Sequence, residues 1–157
     1  MKLKGYIAED HINYKKWATI LEMPYCDYKC NKECGYEVCQ NTGLKKIPEF
    51  DLSIETIMQY YKENPITEAI IFQGLEPFDS WSEMLEMITI FRKYCTDDIV
   101  IYTGYNKEEI QDKIDILKSF INIIIKFGRF IPNQEPHYDE ILGVNLASNN
   151  QYGEKIS

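Results

Sequence analysis

The sequence lacks the features that mark membrane, secreted or nucleic-acid-binding proteins. No apolar run approaches the length of a membrane-spanning helix, and residues 1–6 lead into acidic Glu9 and Asp10 rather than into an apolar leader. Lys and Arg number 17 against 25 for Asp and Glu, a net charge of −8, so the basic footprint that binds nucleic acid is missing. We expect a cytoplasmic protein that contacts neither membrane nor nucleic acid.

Several common catalytic motifs are also missing. The chain has only two His residues, and no Ser-His-Asp order, phosphate-cradling glycine loop or paired-carboxylate site stands out. Its 157 residues correspond to one domain of about 150 residues. The hydrophobic content of 45%, with 12 Tyr and 7 Phe, is enough for a core. We therefore predict a single compact domain over residues 1–157.

Apolar segments typical of strands alternate with segments of helical periodicity. The predicted strands are 17–23, 68–72, 99–102 and 121–126, and the predicted helices are 53–64, 80–94 and 106–117. This alternation predicts an α/β domain with a parallel sheet. Ligands of such sheets bind at the carboxyl ends of the strands. The cysteine-rich segment, 74–77 and 103–105 each follow a predicted strand, so we expect them to converge on one edge.

The cysteines are the most informative feature. There are five, and the odd number without an apolar leader argues against a secreted disulfide framework. Four of them, Cys26, Cys30, Cys34 and Cys39, lie in a polar segment that we predict to be a loop. Three thiolates can hold three irons of a cubane cluster and leave the fourth iron open. A four-cysteine zinc site or inert thiols are the alternatives, but zinc sites usually contain Cys-x-x-Cys, which is absent.

Two motifs in order resemble the radical S-adenosylmethionine (SAM) superfamily. That superfamily carries Cys-x3-Cys-x2-Cys after its first strand and Gly-Gly-Glu-Pro after its second. Here Cys26-x3-Cys30 and Gly74-Leu75-Glu76-Pro77 stand in those places. Within the superfamily, segments 101–105, 128–130 and 147–151 are similar to the small activating component of anaerobic ribonucleotide reductase. The resemblance covers most of residues 17–152.

The third cysteine departs from the family spacing. The usual position falls on Glu33, so the third ligand is Cys39 or Cys34. We favour Cys39, because Val38 supplies the apolar residue that normally precedes the last cysteine, and Cys39-Gln40-Asn41 is similar to the family's Cys-x-Asn. Two further departures are Leu75, in place of the second glycine, and Lys126, where the family usually has an acidic residue.

The resemblance implies a partial open (β/α) barrel of about four or five parallel strands. It also implies a 4Fe-4S cluster and SAM as cofactors, an external electron donor, and reductive cleavage of SAM to methionine and a 5′-deoxyadenosyl radical. The target would be a partner protein that carries a glycyl radical, such as anaerobic ribonucleotide reductase. The cofactor-binding residues implied by the resemblance are Gly74, Glu76, Thr103, Gly104 and Asn149.

Two non-catalytic functions remain as alternatives. The chain could be a zinc or iron-sulfur binding module that stabilises a partner protein. It could also be an electron carrier, which normally ligates every iron and therefore uses four cysteines.

Overall fold

A computed structural model describes all 157 residues, which form ten strands and five α-helices. The strands are β1 (Lys2–Leu3), β2 (Gly5–Asp10), β3 (Ala18–Met23), β4 (Phe50–Asp51), β5 (Ala69–Gly74), β6 (Asp98–Tyr102), β7 (Ile123–Phe127), β8 (His137–Asp139), β9 (Val144–Leu146) and β10 (Tyr152–Lys155). The helices are α1 (Lys29–Cys34), α2 (Thr42–Lys45), α3 (Ile54–Glu63), α4 (Trp81–Arg92) and α5 (Gln111–Leu117), and 3₁₀ turns at Pro77–Ser80 and Lys107–Ile110 precede α4 and α5.

A six-stranded sheet organises the domain, in the order β10-β7-β6-β5-β3-β2. The four central strands are parallel, with Met23 opposite Gly74, Phe72 opposite Ile101, and Tyr102 opposite Lys126. Strands β2 and β10 pair antiparallel at the two edges. The prediction of one α/β domain around a mostly parallel sheet is confirmed. The sheet does not close into a barrel.

The two faces of the sheet are buried differently. Helices α3, α4 and α5 cover one face and complete a core of 22 buried residues. The other face carries a core of only nine residues, in which Tyr14, Leu142 and Leu146 cover the strands. Because side chains alternate between faces along a strand, each central strand contributes to both cores. The thinly covered face leaves room near the carboxyl ends of the strands.

The three predicted helices are confirmed as α3, α4 and α5. The Ser53 hydroxyl accepts the N–H of Thr56 at 3.1 Å at the start of α3. Asn106 and Glu109 form a capping box before the turn that leads into α5. The prediction that the cysteine segment is only a loop is wrong, because it contains α1 and α2. Neither of these short helices has a buried residue, so no apolar periodicity marks them.

None of the helices has both the length and the apolar character that crossing a bilayer requires.

The contribution of the Ser53 cap to stability can be tested by mutation. We expect Ser53→Ala to lower the free energy of unfolding by about 1 kcal/mol, because one N–H of the first turn of α3 loses its acceptor. Ser53→Asp keeps an acceptor and should retain wild-type stability. Urea unfolding of the apo-protein, followed by circular dichroism, measures both variants. Equal loss in the two variants would contradict the capping role.

Candidate functional site

The carboxyl ends of the parallel strands surround a cavity of about 360 Å³. The register of β3 on β5 brings the cysteine segment beside Gly74, because Met23 and Gly74 are paired at the strand ends. The Asn41 side chain donates to the Gly74 carbonyl at 2.6 Å and ties the two segments together. Thr103 and Gly104, which follow β6, also line this cavity. The structure thus places the three segments singled out in the sequence at one edge.

The cavity separates the cysteines into two groups. Cys26, Cys30 and Cys39 line it, whereas Cys34 and Cys95 do not. All five thiols are free and half-buried. Cys95 packs against the core on the helix side of the sheet. The position of Cys39 in the cavity is consistent with the choice of Cys39 over Cys34 as the third ligand.

Burial dominates the electrostatics of the thiols. It raises the pKa of Cys26 to about 12, although the Tyr28 N–H donates to its sulfur at 3.2 Å. Burial also raises the pKa of Cys30, and the neighbouring Cys39 raises it further. The apo-protein therefore holds the Cys26 and Cys30 thiols protonated near neutral pH. Metal ligation requires thiolates, so metal binding here releases protons.

The number and identity of the cavity thiols fit a four-iron cluster. Cysteine ligands of one tetrahedral zinc lie about 3.8 Å apart, given Zn–S bonds near 2.3 Å. The three cavity thiols do not form a set of ligand atoms within 4.8 Å of one another; Cys26, Asp27 and Asp79 do. In a cubane, each thiolate binds a different iron, so three thiols can hold a four-iron cluster with one iron open. The donor set of three thiols on one cavity wall fits a 4Fe-4S cluster.

Glu76 is a buried carboxylate that links two strand ends. It is 6% exposed and accepts hydrogen bonds from the Thr103 hydroxyl at 2.8 Å, the Gly104 N–H at 2.9 Å and the Phe78 N–H at 3.1 Å. Burial raises its pKa to about 7, against the effect of these three donors. Glu76 therefore fixes the backbone after β5 against the backbone after β6.

A row of polar side chains crosses the thinly covered face of the sheet. Glu22 pairs with Gln73 and Tyr102 pairs with Lys126, so one polar residue near the end of each parallel strand joins the row. All four line the cavity. They lie two residues beyond members of the smaller core and therefore share its face. Sequence reasoning missed this row, because it depends on the register between strands.

Lys126 is the cation of this row. It is 7% exposed, and its ammonium donates to the Gly128 carbonyl at 2.7 Å. Burial lowers its pKa to about 8, and the nearby Glu76 carboxylate acts in the opposite direction. Lys126 thus places a buried ammonium in the cavity.

A second charged group lies where the cavity meets α1. Arg129, 8% exposed, donates two hydrogen bonds of 2.8 Å to the carboxylate of Glu109. Hydrogen bonding to Arg129 is the main reason that the pKa of Glu109 falls to about 2. Lys29 of α1 lies 3.6 Å from the same carboxylate, and its ammonium lies 4.6 Å from the centre of the Tyr105 ring. These contacts join the cysteine segment to the loops after β6 and β7.

The C-terminal segment reaches the cavity through Gln151 rather than through Asn149, the residue that the resemblance implies. Asn149 is exposed and outside the cavity, and its N–H donates to Gln134 at 3.0 Å. Gln151 lines the cavity and donates to the Gly128 carbonyl at 3.3 Å. Asn150 donates to the Arg129 carbonyl at 2.8 Å. Gly128 has φ of 96°, and a Cβ there would lie 2.9 Å from the Asn150 carbonyl oxygen.

The raised pKa of Glu76 gives a pH-dependent prediction for the apo-protein. The folded state holds the proton up to about pH 7, whereas an ordinary glutamate releases it near pH 4.5. Stability from this group is therefore present below pH 4.5 and is lost as the pH rises through 7. We expect the free energy of unfolding of the wild type, relative to Glu76→Gln, to fall by up to about 3 kcal/mol over this range. Urea unfolding at several pH values measures this difference, and a constant difference would contradict the burial effect.

The comparisons with known proteins agree with the donor set. A family model described as a 4Fe-4S single cluster domain matches residues 18–151, which is most of the chain. No curated protein and no solved structure matches the chain. The matched region contains the cysteine segment and every strand that contributes a cavity-lining residue. The chain therefore belongs to the family of 4Fe-4S single cluster domains.

Proposed function

We propose that this protein is a radical SAM enzyme with a 4Fe-4S cluster held by Cys26, Cys30 and Cys39. The observation that carries the proposal is that three thiols from one segment line the cavity that also contains Gly74 and Thr103. Three thiolates on a four-iron cluster leave one iron open for a further ligand. The open, mostly parallel sheet is compatible with the partial barrel that the resemblance implies.

The bound cluster would supply one electron to the SAM sulfonium, which gives methionine and a 5′-deoxyadenosyl radical. The protein supplies binding, orientation and exclusion of water. Gly74 has φ of 93°, and a Cβ there would come within 3.0 Å of the Glu22 backbone. Its missing side chain lets the backbone pass close to Glu22 and Leu44. In this proposal the Gly74 backbone then forms the part of the cavity wall that meets the methionyl end of SAM.

Further residues would bind the rest of SAM. We assign the ribose side to Thr103 and Gly104, which Glu76 holds through two hydrogen bonds. Glu76 acts in this proposal by fixing the strand ends rather than by proton transfer. Of the tail residues, Gln151 is in the cavity and Asn149 is not, so Gln151 is the better candidate for a ligand contact.

We propose that the target is a partner protein that receives a glycyl radical, such as anaerobic ribonucleotide reductase. A cavity of about 360 Å³ is near the lower end of the ordinary range for small-molecule sites. Once SAM occupies it, little space is left for a separate small substrate. A protein that presents its reacting residue at the opening fits this limit, and an external donor would supply the electron to the cluster.

An electron carrier or a non-catalytic metal module is the competing function. An electron carrier normally uses a fourth cysteine, and Cys34, the only further cysteine in this segment, is outside the cavity. This placement favours an open iron, and with it the catalytic proposal.

The ligand assignment predicts opposite results for two neighbouring cysteines. We expect Cys39→Ala to lose stable cluster binding, because two thiolates cannot hold a four-iron cluster with one open position. Cys34→Ala should retain about four irons and about four sulfides per chain. Anaerobic reconstitution followed by iron and sulfide analysis measures both. Loss of the cluster in both variants would favour four-cysteine ligation and contradict the radical proposal.

The catalytic proposal predicts a defined product. Reconstituted protein with dithionite and SAM should form 5′-deoxyadenosine and methionine in equal amounts. We expect Gly74→Val to weaken SAM binding by at least about tenfold, because a side chain there collides with Leu44 and the Glu22 backbone, disfavours the positive φ and displaces this part of the cavity wall. Ser119→Ala, an exposed change far along the chain, is the control. A full cluster with no SAM-dependent product would contradict the proposal and favour electron transfer.

A further inference from the structure

One side chain joins the two ends of the loop between Cys30 and Cys39. Asn31 follows Cys30 in α1, and its side-chain oxygen accepts the N–H of Val38 at 2.9 Å and the N–H of Cys39 at 3.0 Å. A single carboxamide therefore holds the backbone of the third cavity cysteine against the residue that follows the second. The loop that the sequence inserts between the two cysteines is closed by this contact.

The rest of the loop supports the same arrangement. Helix α1 is followed by Gly35, whose φ is 76° and whose N–H donates to the Asn31 carbonyl at 2.9 Å. The chain turns back after this glycine. On the far side of Cys39, the Thr42 hydroxyl donates to the Cys39 carbonyl at 2.8 Å. Cys39 thus has both its N–H and its carbonyl fixed by side chains.

Cys34 lies in a different position, although it is closer to Cys30 in sequence. It is the last residue of α1, one helical turn beyond Cys30, and it does not line the cavity. Free loops of four and nine residues differ little in closure entropy, so sequence distance alone does not select between Cys34 and Cys39. The selection must come from contacts that order the longer loop.

We propose that Asn31 is a positioning residue that makes Cys39, rather than Cys34, the third cysteine beside Cys26 and Cys30. The inference rests on the proposed cluster ligands. It concerns how the chain brings the third cysteine into place despite the unusual spacing between Cys30 and Cys39. The carboxamide oxygen supplies an acceptor to two backbone N–H groups that have no other protein acceptor. Its loss would release the Cys39 end of the loop while leaving the sheet and both cores unchanged.

The first experiment measures the positioning without any metal. In the full-length apo-protein with Cys26, Cys34 and Cys95 replaced by Ala, equilibration with glutathione gives the effective concentration of the Cys30 and Cys39 thiols. We expect Asn31→Leu to lower it about tenfold, since two backbone hydrogen bonds of modest net strength are lost, together with the longer contact of 3.9 Å from the Cys30 thiol to the same oxygen. Asn31→Asp keeps the acceptor and should restore most of the wild-type value. Lys32→Leu, an exposed change on the same helix, is the matched control.

The second experiment measures cluster loading in the otherwise unchanged chain. Asn31→Leu should reduce the iron and sulfide retained after anaerobic reconstitution and gel filtration, whereas Asn31→Asp and Lys32→Leu should retain them. The circular dichroism spectrum of Asn31→Leu should match that of the wild type, because α1 has no buried residue.

Two results would overturn the inference. One is an unchanged effective concentration in Asn31→Leu. The other is a lowered effective concentration with wild-type iron content, since the cluster would then not depend on the position of Cys39. Neither assay contains SAM or measures turnover, so this failure is distinct from a failure of the proposed catalytic function.

Discussion

The buried carboxylate of Glu76 connects the ends of two neighbouring parallel strands. It accepts hydrogen bonds from the Thr103 hydroxyl and the Gly104 N–H, which follow the neighbouring strand. It also accepts one from the Phe78 N–H in its own segment. Burial raises the pKa of Glu76 to about 7, because ionising a buried carboxyl group is costly. The three donors around the carboxyl group offset part of this cost. The cavity requires this link, because the loops after β5 and β6 form two of its walls.

The cysteine segment is attached to this frame rather than built into a core. Its two short helices bury no residue, and polar contacts hold them instead. Asn41 binds the Gly74 carbonyl, Lys29 lies beside Glu109, and Asn31 closes the loop. Such a segment can change length without disturbing the sheet, since it buries no residue in either core. This explains how a domain with an ordinary α/β core can accommodate an unusual cysteine spacing.

Apolar patterning predicted the parts of the fold that are buried on both sides. The four parallel strands follow from such patterns, and the three long helices follow from apolar residues at helical spacing on one face. The edge strands β2 and β10 were missed, because they are largely not buried and are defined by pairing with other strands. The row that contains Glu22 and Lys126 depends on strand register, and the placement of Gln151 rather than Asn149 depends on how the tail folds. One-dimensional patterns do not contain this information.

The most direct test of the account is the Mössbauer spectrum of protein reconstituted anaerobically with iron-57, recorded with and without SAM. Three thiolate ligands and one open position predict that one iron in four changes its spectrum when SAM is added, while the other three keep a thiolate-ligated signature. Four irons that all keep the same thiolate-ligated spectrum in the presence of SAM would contradict the central claim. That result would indicate a closed cluster and a function in electron transfer.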